Sequence, residues 1–489
     1  MMYLGSASIV QALIYLTLAT GLAAPLAGRR WRVSVAMAYL GSLSFLAASA
    51  LSLYASASSP LVMYGGLVVQ DPFSSMIMLG AAASSLLLLV AAGPDASRWS
   101  TSPAAFSLIP LVLFGLFFLA GAADALVVLA TWLLVSVASY VFIALPDDGA
   151  SKAAAVRYIM VGMVATLFLV AWTAITSALQ GASAFAIEPI VLPTSGGPLA
   201  YLGARSLALA AFVAALAAIG FKLGVFPFHW WLPNVYGRAD GRVVSFVAGV
   251  VKLGFVAIIA RIVIVQAAGS LSSQVALAAA VVAVITMIYG NFAALSSRSF
   301  QMILSYSSMA QMGYVLAALS AAAYFAGLGP QYHGLLLLAY YAVAVQAVAY
   351  SLAKVPLFAL AGEAGGRLSS VRGLLSSDPA SAVAASVLLL SLLGLPPLLG
   401  FWGKLYMFMA SAGYSIWLAI LALVNSGVSA FYYAVVVREM LSKGEGPKVE
   451  RRYAAALVAG AAAVVAIGVV APLILGYIHA VFLGQLSAG

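Results

Sequence analysis

Stretches of about twenty apolar residues recur along this chain with almost no charge inside them, and that length crosses the ~30 Å hydrocarbon core of a bilayer as a helix. Of 489 residues, 65% are hydrophobic and 7% charged, against roughly 45–50% and about 25% in a soluble domain. A water-soluble fold is excluded, because so few charges could not cover it. Segmentation predicts fourteen spans, at 8–27, 33–54, 71–92, 104–121, 123–145, 158–180, 205–235, 243–266, 273–295, 300–323, 331–362, 380–411, 414–437 and 453–476. The runs are rich in Ala, Leu and Val and lack the ten-residue alternation of a membrane barrel, so the expected fold class is an all-α membrane protein. The first span has no basic leader and no clear small-residue cleavage site, and is expected to stay as a helix.

The net charge of +10 is explained by where the cations fall. If the 28–32 linker is cytoplasmic, sixteen Lys and Arg lie in loops on that side and only Arg205 in those opposite. That is the positive-inside pattern, it puts both termini outside, and it needs no nucleic acid. The chain has no cysteine and three scattered histidines, His229, His333 and His479. Thiol chemistry and Cys-bound metals are therefore excluded. No Gly-rich phosphate loop is seen. We expect no cofactor or metal in this chain, and no enzyme activity from it alone.

Five cations remain inside spans: Lys222, Lys252, Arg261, Lys354 and Lys404. The nearest carboxylates, Asp71, Asp124 and Glu363, stand at span ends. A lysine near the bilayer centre costs at least ~2.5–3.5 kcal/mol, so unpaired lysines at depth point to function. Arg261, five residues from a span end, is expected to snorkel.

Two spans carry proline interruptions. The seventh contains Gly224, Pro227, His229 and Pro233 just after Lys222, and the twelfth contains Gly394, Pro396, Pro397 and Gly400 just before Lys404. Proline removes an amide donor and clashes with the preceding turn, so each span is expected to be two half-helices around an unwound stretch. Breaks five spans apart imply inverted repeats, spans 4–8 (104–266) and 9–13 (273–437), with ion sites at the breaks. Residues 1–103 would supply helices 1–3 and residues 453–489 a final helix.

The stretch KLGVFPFHWWLPNVYGRADGRVVSFVAGVVK (222–252) resembles the signature of the antiporter-like subunits of complex I and of Mrp-type cation/proton antiporters. GNFAALSSRSFQMILSYSSMAQMGY (290–314), AKVPLFALAG (353–362), GLPPLLGFWGKLYMF (394–408) and NSGVSAFYYAVVVREM (425–440) match further blocks in order, and SVASYVFIAL (136–145) with AAVRYIMVGMVAT (154–166) fits spans five and six. The resemblance implies a fourteen-helix subunit of a larger membrane complex, seated in the plasma membrane beside related antiporter-like subunits. It also implies a midplane proton path through Lys222, Lys252, Lys354 and Lys404, supported by Pro227, His229, Ser307, Gln311, Pro396 and Pro397. Burial penalises the ammonium form of an amine, which favours exchange of its proton.

The chain departs from the family at several points. The glutamate expected on the fifth helix, seven residues before Tyr140, is replaced by Leu133, so Lys222 loses its usual acidic partner. Tyr350 stands where a histidine is usual, and Gln301-Met302 where a basic pair is usual. Three readings follow: a proton-translocating subunit of a complex-I-like oxidoreductase, N- or M-type; a D-type subunit of an Mrp antiporter or membrane-bound hydrogenase; or a non-conducting scaffold, motivated by Leu133.

Overall fold

The structure, a computed structural model, describes residues 2–27, 30–96, 99, 102–180, 185–188, 197–267 and 271–486. Gly28, Arg29 and Arg98 of the expected basic loops lie outside them. The chain runs through α1 (Met2–Ala23), α2 (Trp31–Ser56), the strands β1 (Leu61–Met63) and β2 (Val68–Gln70), α3 (Pro72–Ala96), α4 (Ser102–Gly121), α5 (Ala125–Ala144) and α6 (Gly149–Gln180). Then come α7 (Gly197–Leu223), α8 (Trp231–Tyr236), α9 (Gly241–Ser245), a π-helical turn (Phe246–Val251) and α10 (Lys252–Ala267). The rest is α11 (Ser272–Leu295), α12 (Phe300–Ala326), α13 (His333–Glu363), α14 (Leu374–Ser377), α15 (Pro379–Leu393), α16 (Leu399–Tyr414), α17 (Ile416–Leu441) and α18 (Arg451–Leu486).

Thirteen helical stretches among the described residues are long and apolar enough to cross a membrane. The expected twelfth span is the exception, being split into α15 and α16, of 15 and 16 residues. In the seventh, the second half is only the six residues of α8, far shorter than two equal half-helices would give. Several helices outrun the predicted spans: Lys152 and Arg157 sit in the first turns of α6 instead of a loop.

Local signals set the helix starts. Asp124 accepts from the amides of Leu126 and Val127 to cap α5. Ser299 caps α12, and Asp378 caps α15 ahead of a proline at its first position. These side chains satisfy amides that a helix start leaves unpaired. The hairpin β1–β2, antiparallel with Leu61 opposite Gln70, was not expected from the sequence. Its turn bends through Tyr64, Gly65 and Gly66, all with positive φ. Gln70 anchors it, donating to Phe117 O at 2.7 Å.

Burial sorts the helices. The apolar stretch of the eighth span is buried along its whole length and that of α12 nearly so, whereas half or more of those of α6, α11 and α17 face outward. A helix apolar all round belongs inside a bundle. Small and hydroxylic residues let the inner helices approach. A side chain at Gly290 would meet the backbone of Ala310 across the α11–α12 contact, and hydroxyl pairs join α2 to α3 (Ser52–Ser75, 2.8 Å) and α3 to α13 (Ser84–Ser351, 2.8 Å). Of the four lysines, Lys252 lies on the fully buried eighth span, and Lys222 and Lys354 on helices whose apolar stretches are about two-thirds buried.

Candidate functional site

The first break begins where α7 stops. Gly224 takes φ +71°, a left-handed turn that glycine adopts at little cost. The amides of Gly224 and Val225 both close onto Gly220 O, while Trp231 Nε1 caps Phe221 O at 2.6 Å and Thr286 Oγ1 accepts from the Phe226 amide. Lys222, in the last turn of α7, donates from Nζ to Tyr140 Oη at 2.6 Å. Around the same nitrogen lie the rings of Tyr140 (4.4 Å), Phe255 (5.2 Å), Tyr158 (5.3 Å) and Trp132 (5.4 Å). Aromatic faces attract a cation, more strongly when water is excluded. This box surrounds the lysine whose expected acidic partner is missing from the sequence. Trp132 of α5 is fully buried, and the next residue, Leu133, is 44% exposed on the outer face of the helix.

Lys252 follows the π-helical turn, a local widening often found at functional positions. Its Nζ donates to Leu223 O at 3.2 Å, the carbonyl immediately before Gly224, and lies over the Tyr236 ring at 5.2 Å. Lys354, near Pro356 inside α13, donates to Leu304 O at 2.7 Å and to Ser307 Oγ at 2.5 Å. Lys252 and Lys354 lie on the same ring, Tyr350, at 6.0 and 5.8 Å.

The second break has the same construction. Gly394 takes φ +93° and ends α15, and Leu393 O, the carbonyl just before it, accepts from Lys404 Nζ at 2.9 Å. Lys404 also donates to Ser426 Oγ at 2.8 Å and sits 4.8 Å from the Tyr314 ring. Leu392 O accepts from Gln311 Nε2 at 2.9 Å, and Gln346 Nε2 donates to Gln311 Oε1 at 2.8 Å. Helix interruption orphans carbonyls that would otherwise be paired, and at both breaks a buried lysine fills the last of them.

Pro227 lies in the first break loop, and Pro396 and Pro397 in the second. His229, expected as a supporting polar group, packs between the rings of Phe226 and Tyr289 at 5.5 and 4.2 Å. Among the described residues no hydrogen bond or ring contact joins it to a lysine. All four lysines are buried, and among the described residues none is ion-paired with a carboxylate. Sequence reasoning missed the aromatic box, Gln346, Tyr314 and Ser426. Each looks like an ordinary packing residue until the helices are assembled.

Arg261 behaves differently from the expected snorkelling. Nη2 bonds to Val69 O at 3.1 Å and pairs with Asp71 Oδ2 at 3.5 Å, while Tyr340 Oη donates to the same carboxylate oxygen at 3.2 Å. It ties the hairpin to α10 and α13. Among the described residues no group of three or more His, Asp or Glu could hold a metal ion.

Residues 122–429, which include all four lysines, match the family model described as NADH:quinone oxidoreductase/Mrp antiporter, TM. NAD(P)H-quinone oxidoreductase subunit 2 of Prochlorococcus marinus (strain MIT 9303) is 31% identical over 431 residues, 87% of this chain and 78% of that protein. Among solved structures, a chain of respiratory complex I from Thermus thermophilus with bound aureothin superposes with a TM-score of 0.76 at 27% identity, covering 95% of this chain and 98% of that one. A chain of the Mrp complex from Dietzia sp. gives 0.80 at 19% identity, covering 97% and 96%, a likeness of fold alone. With buried lysines at both helix breaks and a family match spanning them, the chain belongs to the NADH:quinone oxidoreductase/Mrp antiporter transmembrane family.

Proposed function

We propose that the chain is a proton-translocating subunit of a complex-I-like quinone oxidoreductase, moving protons along Lys222, Lys252, Lys354 and Lys404. The observation that carries this reading is the lysine set itself. Four buried amines are held by backbone carbonyls, hydroxyls and rings, and among the described residues no carboxylate locks any of them in an ion pair. An amine so held can take up a proton and pass it on at low structural cost, because its partners accept from it in a fixed geometry. The likeness to quinone oxidoreductase subunits supports the respiratory assignment.

In this reading residues 104–266 and 273–437 are inverted repeats, each contributing one break, while 1–103 and 453–489 pack against neighbours. The chain sits in the plasma membrane with both termini outside, and works beside related antiporter-like subunits. It holds no cofactor, and redox chemistry belongs to its partners. Pro227, Pro396 and Pro397 keep the breaks open, and Ser307 and Gln311 hold the second half of the path.

The test is proton flux. The intact complex is reconstituted in vesicles and protons moved per electron are compared for the native chain, Lys222→Ala and Lys252→Ala. Both variants are expected to lower the ratio, and an unchanged ratio in both rules out pumping through this line. A scaffold role, which the missing acid at Leu133 favours, would give that second result. Native partners distinguish the remaining reading: several antiporter-like subunits without redox subunits would mark a D-type Mrp component, and hydrogenase subunits a membrane-bound hydrogenase.

A further inference from the structure

Two side-chain rows, one on α12 and one on α17, lie between the surroundings of Lys354 and Lys404. On α12, Ser307, Gln311 and Tyr314 share one face at i, i+4 and i+7; Ser307 touches Lys354 and Tyr314 faces Lys404. On α17, Ser426, Ser429 and Tyr433 have the same spacing and run the opposite way. Ser426 bonds Lys404, and the Tyr433 hydroxyl lies toward Ser307 and Gln311. All three α17 residues are buried. Each row rises about 10 Å.

The rows differ chemically. The α12 row is interrupted by an amide committed at both ends, Nε2 to Leu392 O and Oε1 to Gln346. A primary amide donates and accepts on different atoms, so a proton entering at oxygen cannot leave from nitrogen without tautomerising the group. A hydroxyl donates and accepts on one oxygen. The α17 row consists only of hydroxyls, and its buried Tyr433 Oη lies toward Ser307, the side chain that bonds Lys354.

We propose that Tyr433, Ser429 and Ser426 carry protons between Lys354 and Lys404, while the Gln311–Gln346 pair insulates the parallel row and holds the second break. The proposal rests on the lysine reading above. In each step a hydroxyl oxygen accepts a proton from the donor behind it and releases its own to the acceptor ahead, with water bridging successive turns and returning unchanged. One proton leaves the Lys354 ammonium, one arrives at the Lys404 amine, and no other bond is altered. The Ser429 hydroxyl, bonded to Ser426 O at 2.6 Å, turns about χ1 to take part, a fast motion beside any proton-pumping turnover.

The experiment uses the intact complex in vesicles, with electron transfer measured in the presence of an uncoupler as the check on assembly. Ser429→Ala and Tyr433→Phe are each expected to lower protons moved per electron about tenfold and to change the ratio of rates in H2O and D2O, whereas Ser429→Thr, which keeps the hydroxyl, retains the native flux. A purely structural role would not move the isotope ratio. If both variants keep native flux while Lys404→Ala lowers it, the α17 route is refuted and the lysine path stands. If Lys354→Ala and Lys404→Ala also leave flux unchanged, both fall together. Should Ser429→Ala fail to assemble, Tyr433→Phe, which keeps the ring and removes only the hydroxyl, decides alone.

Discussion

Gly162 of α6 lies directly against the Tyr140 phenol, so a methyl group there would occupy the space of the hydroxyl that holds Lys222. Elsewhere in a helix Gly→Ala stabilises by up to ~1 kcal/mol. Here the added carbon must displace a ring that is packed edge-on to Tyr158 at 4.7 Å, a form of overpacking that costs about 1–3 kcal/mol. Displacing the ring also removes the hydrogen bond to Lys222, worth about 1.5–3 kcal/mol for a charged partner. The losses outweigh the gain, leaving Gly162→Ala destabilised by about 2–5 kcal/mol. The assay is thermal unfolding of the purified complex together with proton flux. Gly427→Ala is the control, because that helical glycine of α17 is exposed and has nothing within 4 Å of the added carbon. A Gly162→Ala complex with native unfolding temperature and native flux would refute the claim that Tyr140 is pinned and that its hydroxyl positions Lys222.

Removing Arg261 from its pair with Asp71 (Arg261→Gln) is expected to destabilise the hairpin attachment by about 1–3 kcal/mol, since a half-buried carboxylate loses its cation. In a double-mutant cycle with Asp71→Asn, measured by denaturant unfolding, the two losses should not add; simple additivity would show that the pair contributes nothing. Gly394→Ala forces a side chain into a left-handed residue, at about 1–2 kcal/mol, and brings the new carbon within 2.9 Å of Lys404 Cδ. Proton flux per electron should fall while uncoupled electron transfer persists, and native flux would mean that Lys404 tolerates displacement.

The spans and the lysines were legible because the bilayer makes them so. A charge at depth is costly enough that Lys222, Lys252, Lys354 and Lys404 stand out from any background, and Pro227 and Pro396–Pro397 announce the two interruptions. What surrounds the lysines was not legible. Trp132, Tyr140, Tyr158 and Phe255 come from three helices and read individually as bulky apolar residues; only assembly turns them into a box. The acceptors Leu223 O, Leu304 O and Leu393 O are backbone atoms, on which side-chain identity is silent. Arg261 was misread because its partner Asp71 is almost two hundred positions away in the chain. The three-residue strands of the hairpin are too short for an alternating pattern to emerge.

The carbonyls that end α7 and α15 also bear on how such a site can change over time. A lysine answered by a carboxylate depends on one codon elsewhere, and losing that acid strands the charge. A lysine answered by a carbonyl depends on the path of the main chain, which Gly224 and Gly394 bend and which substitutions among neighbouring side chains leave in place. Lys252 and Lys404 are seated in this way, while Lys222, whose acid is lost at helix five, is answered by the Tyr140 hydroxyl instead. The vulnerable positions of a carbonyl-held site are two glycines with no side chain to advertise the part they play.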